Sequence, residues 1–267
     1  MEKRFSRQCF LGGESSMLLG SVNVGVIGLG GGGSHIVQQL AHIGVGKFTL
    51  IDPQRIELSN LNRLVGATLD DVENKSLKVD IAERLISRIS PDIIIKKHAK
   101  KWQEAAEALR GCTVLFGCVD SFSDREQLEI FSRRYIIPYI DIGMDVHMVD
   151  SEYLISGQAI LSMPDNLCMR CFGFITDKVL KEEAHRYGVA GDKPQVIWPN
   201  GVLASTAIGL FMQLITPWHK KACSAYLEYN GNTFELSSSF RYKAIQGHSC
   251  HHFDPIDNIG DLFWKRG

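Results

Sequence analysis

Apolar runs and helical stripes alternate along the first half of this chain. Val22 to Gly28 is apolar and β-branched, and predicts a central parallel strand. From Ser34 to Ile43 the apolar residues Ile36, Val37, Leu40 and Ile43 keep helical spacing, with Gly44 placed to end the helix. Lys47 to Asp52 predicts a second strand. Leu77, Ile81, Leu85 and Ile89 mark another helical face, which Pro91 ends. Ile93 to Ile95, Thr113 to Val119 and Ile136 to Ile142 predict three more strands, with a helix from about Ser123 to Arg134 before the last. Alternation of this kind predicts a doubly wound, Rossmann-like α/β sheet, mostly parallel.

The pattern changes after Gly143. Asp145 to Asp150 and Tyr153 to Leu161 read as adjacent antiparallel strands joined by a short turn. Lys181 to Gly188 is charged, flanked by Gly191 and Pro194, and reads as an exposed segment with room for a helical turn. The apolar run Ile197 to Ile215 is helical from about Val202 and suits either core or interface. Tyr226–Tyr229 and Thr233–Leu236 straddle Asn230-Gly231, a hairpin-turn signal. The whole reads as one domain, 1–267. Residues 1–143 form a nucleotide-binding half, and 144–267 an antiparallel extension with a crossing segment.

The turn after the first strand carries the first chemical signal. Gly28, Gly30 and Gly33 have G-x-G-x-x-G spacing, with Gly31 between them. Glycine there allows a sharp turn and brings backbone N–H groups against phosphate at a helix start. NAD, FAD and ATP proteins share this motif, so its polar companions must discriminate. Asp52 closes the second strand, where a carboxylate grips a ribose. Ser59-Asn60-Leu61-Asn62-Arg63 follows, then Lys78 near a helix start. Asp120-Ser121 lies at the end of the fourth strand. Carboxyl ends of parallel strands converge on one crevice. Two cations and a second carboxylate there exceed what NAD needs and suit a triphosphate with Mg²⁺. Singly, each has a plainer reading: a strand-end Asp caps a turn, and Lys and Arg are solvated or form weak surface pairs. Lys75 competes with Lys78 for the phosphate.

Composition narrows the class. In 267 residues, 45% are hydrophobic and 22% charged, with a formal net charge of -1. That is ordinary globular composition, and it argues against a general nucleic-acid or membrane binder. No apolar run reaches the roughly 20 residues of a membrane span. The first residues show no signal-peptide pattern, and seven cysteines in such a chain fit a reducing, cytoplasmic setting.

Taken in order, Arg4-Phe5-Ser6-Arg7-Gln8, the Gly28–Gly33 turn, Asp52, Ser59 to Arg63, Lys78 and Asp120 resemble the E1-like (ThiF/MoeB/HesA-type) adenylyltransferase family. The resemblance runs from about residue 3 to 250. It implies ATP-dependent adenylation of the C-terminal carboxylate of a small ubiquitin-like or sulfur-carrier protein, usually ending in Gly-Gly, with release of pyrophosphate. Asp52 would bind the ribose, and Gly28, Gly30, Gly31, Gly33 and Ser121 would border the nucleotide. Asn60, Arg63 and Lys78 would hold the phosphates, and Asp120 would hold Mg²⁺. Arg7 would reach the partner's site in a homodimer. Catalysis would rest on positioning and electrostatic stabilisation, since the attacking carboxylate is already ionised at neutral pH.

Cys168 and Cys171 have the C-x₂-C spacing of a zinc knuckle. Where many relatives carry a second such pair, this chain has His248, Cys250, His251 and His252, so a structural Zn²⁺ site of Cys₂His₂ or Cys₃His type is expected around Cys168, Cys171, His248, Cys250 and His251. Loss of zinc is the alternative. The crossing segment, roughly Phe172 to Trp198, has no cysteine for a covalent step and suits a strap over the incoming tail. Cys9, Cys112, Cys118 and Cys223 lie elsewhere; Cys112 and Cys118 flank or occupy a buried strand and read as inert. An NAD(P)-dependent oxidoreductase, an inert binding module of the same fold, and adenylation of a carboxylate on RNA or a small molecule are the competing functions.

Overall fold

A computed structural model describes residues 3–164, 166–186, 194–221 and 224–253. Cys223 and residues 187–193 of the crossing segment lie outside the described residues. The described strands are β1 (Asn23–Ile27), β2 (Lys47–Ile51), β3 (Ile94–His98), β4 (Val114–Gly117), β5 (Tyr139–Val149), β6 (Glu152–Ser162), β7 (Tyr226–Asn230) and β8 (Glu235–Ser238). They form one sheet in the order β3-β2-β1-β4-β5-β6-β7-β8. Pairing is parallel from β3 through β5 and antiparallel from β5 to β8. The expected parallel core with an antiparallel extension is therefore present.

The helices are α1 (Ser15–Ser21), α2 (Gly31–Ile43), α3 (Leu69–Glu73), α4 (Lys78–Ile89), α5 (Ala106–Leu109), α6 (Phe122–Arg134), α7 (Asp177–Arg186), α8 (Ile197–Ile215) and α9 (Phe240–Ile245). Two cores result. Ile36, Val37 and Leu40 of α2, Val79 and Ile86 of α4, and Leu203, Ala207 and Phe211 of α8 cover one face of the sheet. Leu109 and Leu128 of α5 and α6, with Trp102, Met169 and Phe172, cover the other. Covering both faces is what lets the central strands be apolar throughout. The apolar run of α8 is core, and it starts earlier than the sequence suggests; Pro199 is accommodated because the first helical turn needs no amide donor. Its first residues, Ile197 and Trp198, stay exposed.

The strand pattern differs at one place. The separate strands expected at Ile136–Ile142 and Asp145–Asp150 are a single eleven-residue strand, β5. Only Tyr139, Ile140 and Asp141 pair with β4, whereas the whole strand pairs with β6. β5 therefore overhangs the carboxyl edge of the parallel sheet. Gly143 does not break it: a side chain there would strike Arg125, so the glycine makes room for packing.

Candidate active site

The glycine turn is shaped by the fold at two positions and open at a third. Gly28 has φ +86°, and a Cβ there would sit 2.4 Å from the Cys118 carbonyl oxygen. A Cβ on Gly33 would sit 1.9 Å from the Gly28 carbonyl oxygen. Both glycines are demanded by close backbone approach, Gly28 to the chain leaving β4 and Gly33 of α2 to the end of β1. Gly31 makes room for Asn200 of α8, whose amide nitrogen would lie 2.7 Å from a Cβ. Gly30 differs: a Cβ there meets nothing within 4 Å, and the residue stands at the N-cap of α2. Open space over the amino end of a thirteen-residue helix is where a phosphate is favoured.

Asp52 is buried beside that turn. Its carboxylate accepts hydrogen bonds from the Leu29 N–H at 2.7 Å and the Gln54 N–H at 2.8 Å. Burial pushes its pKa up from the ordinary value; the Lys78 charge and these two N–H groups pull it back, and the Asp120 charge adds to the rise. Lys78, also buried, opens α4 and donates to Gln54 Oε1 at 2.6 Å. Asp120 is exposed at the end of β4. The charges of Lys78 and Asp120 thus both act on the Asp52 carboxylate at the carboxyl edge of the sheet.

The loop with Asn60 and Arg63 is tied to the first turn of α2, where the Val65 N–H donates to Ser34 Oγ at 3.0 Å. Asn60 is engaged locally, its Oδ1 accepting from the Glu57 N–H at 3.2 Å. Arg63 donates to the Ser59 carbonyl at 2.7 Å and to Asn62 Oδ1 at 3.0 Å. Ser121 caps α6, accepting from the Asp124 N–H at 3.0 Å and donating to the Asp124 carboxylate at 2.9 Å. Its hydroxyl therefore has a structural task. Arg7 is exposed on a 3₁₀ helix, Lys3–Leu11. Neighbouring Arg4 donates to the Ala41 carbonyl at 2.7 Å, near the far end of α2. At about 1.5 Å per residue, that anchor is roughly 15 Å along the helix from the glycine turn.

A second cluster lies elsewhere. The donor atoms of Cys168, Cys171, Cys250 and His252 all fall within 4.8 Å of one another. The two sulfurs of Cys168 and Cys171 are 3.6 Å apart, and His252 Nδ1 lies 3.5 and 3.3 Å from them. A tetrahedron with Zn–S bonds of about 2.3 Å and a Zn–N bond of about 2.0 Å has edges of roughly 3.5–3.8 Å. The donor set and spacing fit a closed structural zinc site. His252 completes it in place of the expected His248 and His251. His248 Nδ1 instead lies 3.1 Å from the Ile245 carbonyl oxygen, just past the end of α9, so its ring is turned to its own backbone rather than to the two sulfurs. Cys112 is no candidate nucleophile, since burial pushes its thiol up to about 11.

Residues 5–251 match the ThiF family. The chain belongs to that family. SAMP-activating enzyme E1 of Haloferax volcanii is 30% identical over 173 residues, covering 63% of this chain and 60% of that protein. Molybdopterin-synthase adenylyltransferase of Salmonella typhimurium is 37% identical over 131 residues, 47% of this chain and 51% of that one. Ubiquitin-like modifier-activating enzyme 5 of Rattus norvegicus is 26% identical over 231 residues, 78% and 52% respectively. The chain thus spans 60% of the first relative and about half of the other two. The structure of E. coli MccB with ATP superposes with a TM-score of 0.72 at 18% identity, covering 90% of this chain and 71% of that one, a likeness of fold.

Several buried or bridging residues around these two clusters escape a reading of sequence. Gln54 bridges Asp52 and Lys78 by offering its backbone N–H to one and its side-chain oxygen to the other. Arg125, Glu129 and Arg133 of α6 are buried and hold loops at both ends of the helix. Their spacing of four places them on one helical face. Asn62 donates to the Gln195 carbonyl at 2.9 Å, joining the crossing segment to the loop of Arg63.

Proposed function

We propose that this chain adenylates the C-terminal carboxylate of a small ubiquitin-like or sulfur-carrier protein, consuming ATP and releasing pyrophosphate. The observation that carries the reading is the Asp52 carboxylate buried beside the glycine turn, held by the Leu29 and Gln54 N–H groups and acted on by the charges of Lys78 and Asp120, with open space over Gly30. Kinship with enzymes named for activating such proteins supports the substrate class. It also favours this reading over a nicotinamide oxidoreductase.

The geometry supports a role for each residue. Asp52, held by two backbone amides, presents its remaining lone pairs to the ribose hydroxyls. The amino end of α2 receives phosphate oxygens over Gly30. A carboxylate oxygen of the incoming tail attacks the α-phosphorus, and the bond from that phosphorus to the bridging oxygen of pyrophosphate breaks. Lys78 offsets the negative charge growing on the phosphate, and its burial strengthens that effect. Asp120 is the carboxylate that would hold Mg²⁺, an ion that neutralises phosphate charge when bound. Arg63 reorients from its local partners toward the phosphates. Arg7, exposed on the 3₁₀ helix that Arg4 ties to the far end of α2, serves the site of a second copy in a homodimer. The crossing segment straps a tail ending in Gly-Gly, and the Cys₃His cluster holds structural zinc. A cytoplasmic setting suits free thiols at such a cluster.

Exchange of radiolabelled pyrophosphate into ATP tests the reading. Exchange should require a carrier protein with its C-terminal carboxylate intact, and Mg²⁺. Exchange that ignores removal of the carrier's last residues would reject the proposal.

A further inference from the structure

We propose that Arg125 is a positioning residue that sets the Asp120 carboxylate from beneath, and that Asp141 serves to hold its guanidinium in place. The inference rests on reading Asp120 as the magnesium carboxylate. Arg125 is on α6, 7% exposed, and its guanidinium has three acceptors. One nitrogen donates to the Val119 carbonyl at 2.5 Å, on the residue immediately before Asp120. The other donates to the Ile142 carbonyl at 3.1 Å and forms an ion pair with Asp141. Asp141 is fully buried on β5 and also accepts from the Tyr139 hydroxyl at 3.0 Å.

Two glycines give this network its space. A Cβ on Gly117 would sit 2.0 Å from the Tyr139 hydroxyl, and one on Gly143 would sit 2.5 Å from the Arg125 guanidinium. The backbones of β4 and β5 are thus shaped around a polar cluster in an otherwise apolar layer. Such a buried ion pair is a poor source of stability, because desolvation offsets its Coulombic attraction and apolar replacements often match it. What the fork of Arg125 does supply is geometry. It locks the carbonyl next to Asp120 to the start of the β5 overhang, and the Asp120 charge is among those that favour the charged guanidinium. A planar guanidinium can bind these three acceptors at once; an ammonium on a flexible stem cannot reproduce the fork.

Calorimetric titration of the full chain with ATP, in Mg²⁺ and in EDTA, tests this. Wild-type protein should bind ATP at least about tenfold more tightly with Mg²⁺, and Asp120→Asn should abolish that gain. Arg125→Lys keeps the charge and most of the volume. It should leave the affinity in EDTA within about twofold and lose most of the Mg²⁺-dependent gain. A purely structural arginine would weaken both titrations together. Asp141→Asn, nearly isosteric, should reduce the gain about two- to fivefold by freeing the guanidinium, and provides a second measurement should the lysine variant fold poorly. A gain lost in Asp120→Asn but intact in Arg125→Lys, or in Asp141→Asn if that is the variant that folds, overturns the positioning role alone. A gain that survives in Asp120→Asn removes the reading of Asp120, and this inference with it.

Discussion

The Glu183 carboxylate of α7 accepts a hydrogen bond from the Ser123 N–H at 2.9 Å, across 60 residues of sequence. Its other oxygen accepts from the Phe122 N–H at 2.8 Å. A carboxylate from the crossing segment therefore satisfies two orphan amides at the start of α6, two residues beyond Asp120. Its charge also suits the positive end of the helix. Glu183→Gln keeps the shape and removes the charge. We expect a loss of about 1 kcal/mol at this contact, seen as roughly fivefold faster amide hydrogen exchange at Phe122 and Ser123. Exchange in β1 and β2 should stay unchanged. Equal protection at Phe122 and Ser123 in both proteins would mean the contact does not hold α7 to α6.

Gly30 and Gly33 should separate binding from folding. Gly30→Ala places its methyl in open space and should give a folded protein with ATP affinity lowered about tenfold or more, measured by calorimetry. Gly33→Ala drives its methyl against the Gly28 carbonyl and should fail to yield stable protein. Unimpaired ATP binding by Gly30→Ala would move the phosphates away from this turn.

Asp71 and Arg84 link acid stability to the loop between Arg63 and Lys78. Arg84 donates to both Asp71 oxygens at 2.6 Å and to the Gly66 carbonyl at 2.9 Å. Its hydrogen bonds, ahead of those from Thr68, hold the Asp71 carboxyl well below its ordinary value of 3.8, against the effect of burial. A depressed folded-state pKa stabilises the protein above the unfolded value, and that contribution is lost as pH falls through the folded value. Asp71→Asn should therefore cost about 2 kcal/mol near neutral pH. The difference from wild type should shrink as pH drops below about 4. Chemical denaturation at several pH values measures it, and a pH-independent difference would exclude the ion pair as its source.

Metal analysis should find one zinc per chain. His252→Ala should lower that content and the melting temperature, whereas His248→Ala and His251→Ala should not. Chelation should free the C-terminal residues to proteases while ATP binding at the glycine turn persists. Equal zinc content in the His252 variant would leave the fourth ligand elsewhere.

Most of the parallel half was legible because its strands are buried on both faces and its helices show one apolar stripe. Asp52, Lys78 and Asp120 were findable because strand ends and a helix start place them at one edge. Arg125, Glu129 and Arg133 were missed because isolated charges on a helix usually mean solvent, and only their spacing of four hinted otherwise. The unity of β5 was hidden by Gly143, which resembles a break but clears space for a guanidinium. His252 was not singled out because the offset between His248 and His251 matches the C-x₂-C pair, and spacing alone does not say which of several adjacent histidines faces the two cysteines.

Helix α6 has a further mechanical consequence. Its thirteen residues measure about 18 Å from head to foot. At the head stands Asp120. Nearer the foot, Arg133 donates to the Leu167 carbonyl at 3.0 Å and Glu129 accepts from the Met169 N–H at 3.0 Å, gripping the chain on either side of Cys168. The thiol cluster and the exposed carboxylate are thus joined by one stiff rod, so a tilt imposed at either end swings the other.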